Sequence, residues 1–299
     1  MAVYNKLVAT TVMSTDALFR EYGKFIADSL ESIGWALQAD SGDLDWATVA
    51  RETVTAFKMS GYEVRKSGTA GGTALYMKIQ YGAGYNTNCL GIKTQFGTGF
   101  DGAGTLTGAL TSLMSIASAC GADASVGTFT VAGNSERWTI GCTSANNLAN
   151  NSAAFFQRTC DTAGADTSTG LVTGGIFYTD SSRAYNQYSE FVAGAGTVDA
   201  NFSTMYYPRM QITGGAVPDF PIFSQALTNS GYFMIRDMLL CPFAFAPLHS
   251  IHTVNHYGSN LTFKAILGTT TAAASLGWAH PTITTSVPGM EMSVLMRID

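Results

Sequence analysis

Charge is what this sequence has least of. Asp, Glu, Lys and Arg make up 12% of its 299 residues, about half the roughly 25% of an ordinary soluble domain. The 16 Lys and Arg are scattered, and the net charge is −5. Nucleic-acid binding needs a concentrated positive footprint, so it is not expected. Proline is equally uneven: none of the seven precedes Pro208. Cysteine is sparse and odd in number, at Cys89, Cys120, Cys142, Cys160 and Cys241, with no CxxC. That is neither a disulfide framework nor a zinc signature, and buried thiols in a reducing cytoplasm are expected instead. The opening Met1-Ala2-Val3-Tyr4-Asn5-Lys6 lacks a basic region followed by an apolar one, so no secretory signal is expected. The most apolar stretch, 232–248, is broken by Arg236, Asp237, Pro242 and Pro247. A membrane span needs about 20 apolar residues without such breaks, so no membrane partner is expected.

What fills the gap is glycine, with 32 copies, together with Thr, Ser, Ala and Asn. Hydrophobic residues reach 46%, enough for a sizeable core in one or two domains. A surface this poor in charge is a hazard for a lone soluble chain and less of one when copies or partners cover it. The plainer alternative is a monomer solubilised by hydroxyls and amides.

One strong helix pattern stands near the N-terminus. Ser14, Thr15 and Asp16 offer a cap. Leu18, Tyr22, Phe25, Ile26, Leu30, Ile33 and Leu37 then follow at intervals that suit one helix face. Gly34 weakens its last turn and Asp40-Ser41-Gly42 ends it. A second helix is expected over 46–57, with Trp46, Ala50, Val54 and Phe57 on one stripe. Beyond it the pattern is β, with strands expected at 62–65, 74–81, 90–96, 128–132, 137–142, 154–158, 174–179, 205–212, 232–240, 249–257, 261–267 and 291–298. The segment 107–119 reads either way, since Leu110, Leu113, Met114 and Ala117 have helical spacing. The fold class expected is mainly β with an N-terminal helix (α+β), built on an antiparallel β-sandwich or barrel-like body. The proline boundary divides the chain into 1–207, helix plus β-rich body, and 208–299, a Pro-containing β-rich region that is separate or part of the same domain. Residues 265–290 contain no charged side chain.

The chemical motifs are weak. Gly97-Thr98-Gly99-Phe100-Asp101-Gly102 matches GxGxxG, but a dinucleotide site needs a helix directly after it. Ala103-Gly104-Thr105 opens a helix poorly, so a turn is expected. His249, His252 and His256 invite a metal reading. On a strand, however, His252 and His256 lie roughly 13 Å apart at about 3.3 Å per residue, too far for one ion within one chain; meeting across chains stays open. Glu63, Asp101, Glu136 and Glu190 have no acidic sequence neighbours, so no carboxylate pair is suggested. No G-x-S-x-G elbow occurs, and Asp161 and Asp166 suit a hairpin better than a calcium loop. No catalytic residue, metal ligand or cofactor is therefore assigned. Aromatics are more informative: Tyr206, Tyr207, Phe220, Phe223, Phe243 and Phe245 gather around the prolines and are the candidate subunit-interface residues. Core packing is the ordinary alternative for them.

The order of several short pieces resembles a known family. Ser32-Ile33-Gly34-Trp35 is followed by Gly61-Tyr62-Glu63-Val64 and then Leu75-Tyr76-Met77-Lys78-Ile79-Gln80-Tyr81-Gly82-Ala83-Gly84. Next come Leu90-Gly91-Ile92-Lys93-Thr94 and Gly97-Thr98-Gly99-Phe100-Asp101-Gly102-Ala103-Gly104-Thr105-Leu106-Thr107-Gly108. Later, Phe155-Phe156-Gln157-Arg158-Thr159-Cys160-Asp161 and Ser259-Asn260-Leu261-Thr262-Phe263-Lys264-Ala265-Ile266-Leu267-Gly268 continue the likeness. This arrangement resembles virion structural proteins of tailed bacteriophages; Gln80 departs from it where an acid is common, and so does the histidine cluster. The resemblance implies a tail, neck or baseplate component with no catalytic residues. It also implies a location in the virion after assembly in the host cytoplasm, and partners that are copies of itself and other virion proteins. The alternatives are a capsid decoration protein, a receptor-binding fibre, or a carbohydrate-binding β-sandwich stacking sugar on an exposed Trp138 or Trp278. An enzyme ranks third.

Overall fold

The structure is a computed structural model. It describes residues 2–10, 13–42, 44–52, 58–69, 72–83, 90–111, 114–118, 126–144, 152–160, 166–179, 184–193, 197–198, 224–227, 231–234, 238–242, 250–256, 259–269 and 292–298.

The chain begins with an unforeseen strand, β1 (Ala2–Val8), whose mixed apolar and polar alternation carries little period-two signal. The helix α1 (Asp16–Ser32) follows as expected. Thr15 is extended and accepts a hydrogen bond from Leu18 N–H at 3.2 Å, which satisfies one of the donors that open a helix. Phe19, Tyr22, Ile26, Ala27 and Leu30 are buried along one stripe. The helix stops earlier than its apolar spacing suggested. Gly34 takes φ +97°, which favours glycine, and lies within 3.1 Å of the Ser135 side chain if given a Cβ. Leu37 therefore sits on β2 (Ala36–Asp40), not on the helix. The second expected helix is also corrected over its described part. Asp45 closes a turn there, its carboxylate accepting from Ala47 N–H at 2.9 Å and from the Thr48 hydroxyl at 2.9 Å. Residues 53–57 lie outside the described residues.

The remaining elements are strands: β3 (Lys58–Lys66), β4 (Tyr76–Ala83), β5 (Leu90–Phe100), β6 (Leu106–Ala109), β7 (Met114–Ser118), β8 (Gly127–Asn134), β9 (Arg137–Ser144) and β10 (Ser152–Cys160). Then come β11 (Asp166–Thr179), β12 (Ala184–Ala193), β13 (Thr197–Val198), β14 (Ser224–Leu227), β15 (Gly231–Met234), β16 (Met238–Pro242), β17 (Ile251–His256), β18 (Ser259–Thr269) and β19 (Met292–Arg297). In the ambiguous segment 107–119, the described residues include the end of β6 and all of β7. The strand expected at 205–212 lies outside the described residues.

All pairings among the described residues are antiparallel, which short hairpin connections permit. The largest sheet runs β1-β8-β9-β10-β11-β12-β13, with β15 joining β10 and β14 joining β15. A second runs β2-β3-β4-β5-β6, with β7 also on β5. A third, β16-β19-β18-β17, uses the C-terminal strands. The fold is mainly β and sandwich-like, with two packed antiparallel sheets and one N-terminal helix. Trp35, Phe96, Trp138 and Phe156 fill the space between the first two sheets. Phe96 stacks on Phe156 at 4.5 Å between centroids, and Trp35 meets Phe156 edge-on at 5.0 Å. Such pairs add about 0.5–1.5 kcal/mol each beyond the area they bury.

Candidate functional site

The charged residues that the sequence left isolated are joined in space. Arg158 on β10 is fully buried. Its Nε donates to Glu136 Oε2 at 2.6 Å and its Nη1 to the Ser168 carbonyl at 2.6 Å. Its Nη2 donates to Ser67 Oγ at 3.2 Å and to the Thr73 carbonyl at 3.0 Å. Ser67 and Thr73 flank the loop between β3 and β4, whereas Glu136 lies in the turn between β8 and β9. The guanidinium thus fastens one sheet to the other. The same contact brings Gly68 N–H to the Ser135 carbonyl at 3.0 Å. A Cβ on Gly68 would fall 2.0 Å from Glu136 Oε1, so only glycine lets the loop come this close.

Arg65 on β3 ties the helix end into the same joint. Its Nε donates to Glu63 Oε2 at 2.7 Å, and its Nη1 to Glu31 Oε2 and the Trp35 carbonyl, both at 2.9 Å. Tyr81 donates its hydroxyl to Glu63 at 3.2 Å. Burial pushes the Tyr81 phenol well above its ordinary pKa, and the Glu63 charge adds to that while Arg65 opposes it. Burial disfavours the Arg65 charge, but Tyr81, Glu63 and Glu31 more than offset it. Trp35 Nε1 donates across to the Asn134 carbonyl at 3.2 Å. These groups are internal fasteners whose charge is neutralised where it sits. Cys142 is a free, buried thiol, and burial raises its pKa, which removes it as a nucleophile at neutral pH.

The GxGxxG segment is a hairpin. Gly97 and Gly99 lie within β5 and pair with Ala109 and Thr107 of β6. The turn at 101–105 is held by Asp101 Oδ1, which accepts from Ala103 N–H at 2.8 Å and Thr105 N–H at 2.9 Å. Those two bonds hold the Asp101 carboxyl below its ordinary pKa. Gly104 has φ +97°, and a Cβ there would meet the Tyr62 ring. Lys78 sits 3.9 Å over that ring and donates to the Gly104 carbonyl at 2.9 Å. No helix follows the glycines, so the phosphate-cradling geometry is missing here.

His252 and His256 both lie on β17, the strand geometry the spacing anticipated. His249 lies outside the described residues. Ser250 Oγ is 2.6 Å from His252 Nε2, and burial lowers the His252 pKa. Among the described residues no acid bonds the other ring nitrogen, as a nucleophile–base–acid relay requires. No group of three or more His, Cys, Asp or Glu that could hold a metal occurs among the described residues. Trp138 is 2% exposed, so it offers no stacking platform for a sugar. Trp278 lies outside the described residues.

The outer rims of the sheets are the remaining candidate surface. Leu7 on β1 is 74% exposed, Leu37 on β2 is 44%, and Ile251 on β17 is 63%. Each of these strands is paired on one side only among the described residues. The expected interface residues Tyr206, Tyr207, Phe220, Phe223, Phe243 and Phe245 all lie outside the described residues.

No protein-family model matches the chain, and no curated protein matches it.

Proposed function

We propose that the chain is a structural subunit of a tailed-phage virion, assembling symmetrically in the tail, neck or baseplate and having no catalytic role. The observation that carries this reading is the pairing of rims that expose large apolar side chains with a fastened interior. The sheets end on strands bearing exposed Leu7, Leu37 and Ile251, and unpaired strand edges are templates for further strands. Meanwhile Arg158, Arg65, Glu136 and Glu63 are engaged in holding the sheets and helix together. Copies that bury those rims would relieve the shortage of surface charge. The residues of the resemblance also fall in coherent places. Gly34-Trp35 ends the helix, the Gly97–Gly108 stretch forms one hairpin, and Arg158 in the Phe155–Asp161 piece fastens the sheets.

Immunogold labelling of purified particles of the phage that encodes the chain tests this reading. Gold on the tail, neck or baseplate is the expected result. Gold over the head would favour a decoration protein. Accessible, intact particles that carry neither label nor a matching protein band would overturn the virion assignment.

A further inference from the structure

The sheet rims are not alike. Natural edge strands avoid unwanted pairing by shortness, proline, bulges or charged side chains, lysine above all. Most of the rims here carry one of these guards; β7 (Met114–Ser118) carries none but lies along β11 of the largest sheet. β1 carries Lys6, which reaches Glu21 at 2.9 Å. β2 is bulged between Leu37 and Ala39 and ends on Asp40. β6 has four residues and β13 two, and β16 ends on Pro242.

β17 has none of them. Its sequence, Ile251-His252-Thr253-Val254-Asn255-His256, contains no Lys, Arg, Asp, Glu or Pro. Its six residues pair with β18 in unbroken register from Ile251↔Lys264 to His256↔Ser259, so no bulge twists the rim away. Ile251 and Thr253 are exposed on one face. On the other, His252 stands beside the fully buried Phe263. This is a straight, neutral, partly apolar strand with its outer hydrogen-bonding side unmatched among the described residues.

We infer that β17 is a self-pairing edge, and that its occupant is β17 of a second copy, docked antiparallel about a twofold axis. This deepens the assembly reading above by naming one contact and its partner. The electrostatics suit a second copy. Each chain carries net charge −5, so two copies repel one another weakly overall. A strand with no formal charge is where two identical chains meet without placing like charges opposite each other. Antiparallel pairing of identical strands is isologous and closes after two copies. It joins two four-stranded sheets into one of eight and covers Ile251 with a cross-strand neighbour.

Sedimentation velocity of the full chain over a range of concentrations, alongside Ile251→Lys and Thr253→Lys, tests the inference. Both side chains are exposed, so neither variant needs to disturb the core, and far-UV circular dichroism with thermal melting checks that each stays folded. The expected result is a concentration-dependent dimer in the native chain and its loss in both folded variants. A native chain that stays monomeric at every concentration would overturn the inference, and so would a dimer that survives both substitutions. The outcome is separable from the virion question. A β17-dependent dimer with no label on particles would leave the pairing standing and remove the phage assignment. Labelled particles with a β17-independent dimer would do the reverse.

Discussion

The joint between the sheets and the rim at β17 treat charge in opposite ways. At the joint, Arg158 and Arg65 are buried against Glu136 and Glu63 with separations of 2.6 and 2.7 Å. At the rim, six consecutive residues carry no charge at all, although one large apolar side chain is exposed there. An ordinary monomer places charge outside and apolar groups inside. The contrast here teaches that Arg158 and Arg65 serve internal fastening, whereas the β17 rim carries no charge.

The comparison breaks most visibly at the joint. Replacing Glu136 with Ala leaves Arg158 buried without its carboxylate. Loss of one partner of a buried pair costs about 3–5 kcal/mol. Urea unfolding should show that drop, and the double variant Glu136→Leu with Arg158→Met should recover part of it. A single variant as stable as the native chain would mean the joint is solvated. A smaller effect is expected at Gly23, where a Cβ would fall 2.3 Å from two carbons of the Trp46 ring. Gly23→Ala should cost about 1–3 kcal/mol through overpacking, read from the same denaturant curves.

Alkaline pH probes the interior differently. Burial, with help from the Glu21 charge and Cys142, pushes the Tyr22 pKa up to about 12. The neutral phenol donates to the Thr10 carbonyl at 2.6 Å. Because the folded value lies above the unfolded value near 10, the folded state holds this proton more tightly. The contribution is complete below pH 10 and is lost as pH rises through 12. Tyr22→Phe should lower stability at neutral pH by roughly 1 kcal/mol for the missing hydrogen bond. Melting temperatures from pH 8 to 12 should then fall less steeply than those of the native chain. The smallest effect on stability belongs to the rim: Thr253→Lys, opposite Thr262, should change unfolding free energy by less than about 0.5 kcal/mol, while abolishing association.

Much of the backbone plan was readable from residue order. The Thr15 cap and the Phe19–Tyr22–Ile26–Leu30 stripe mark α1, and Met77 and Ile79 mark the inner face of β4. The helix end was misplaced because Ile33 and Leu37 continue the apolar spacing past Gly34, where backbone conformation rather than periodicity decides. Trp46 looked helical because its spacing matched Val54 and Phe57, yet its ring packs over Gly23 from a turn closed by Asp45. In β12, Tyr185, Tyr188 and Phe191 recur every third residue and hide a strand. The joint was not legible at all. Arg158 and Ser67 are 91 residues apart, and nothing in local pattern links them. The rim at β17 was legible as a strand, but its openness depends on the sheet order, which periodicity does not contain.

Hydrogen exchange followed by mass spectrometry, at low and high protein concentration, tests most directly the claim that the fastened interior and the open rim have separate roles. The account predicts that peptides spanning 250–256 become protected at high concentration, while those spanning 134–144 at the joint exchange equally slowly at both. Unchanged exchange at 250–256, or concentration-dependent protection at the joint instead, would contradict it.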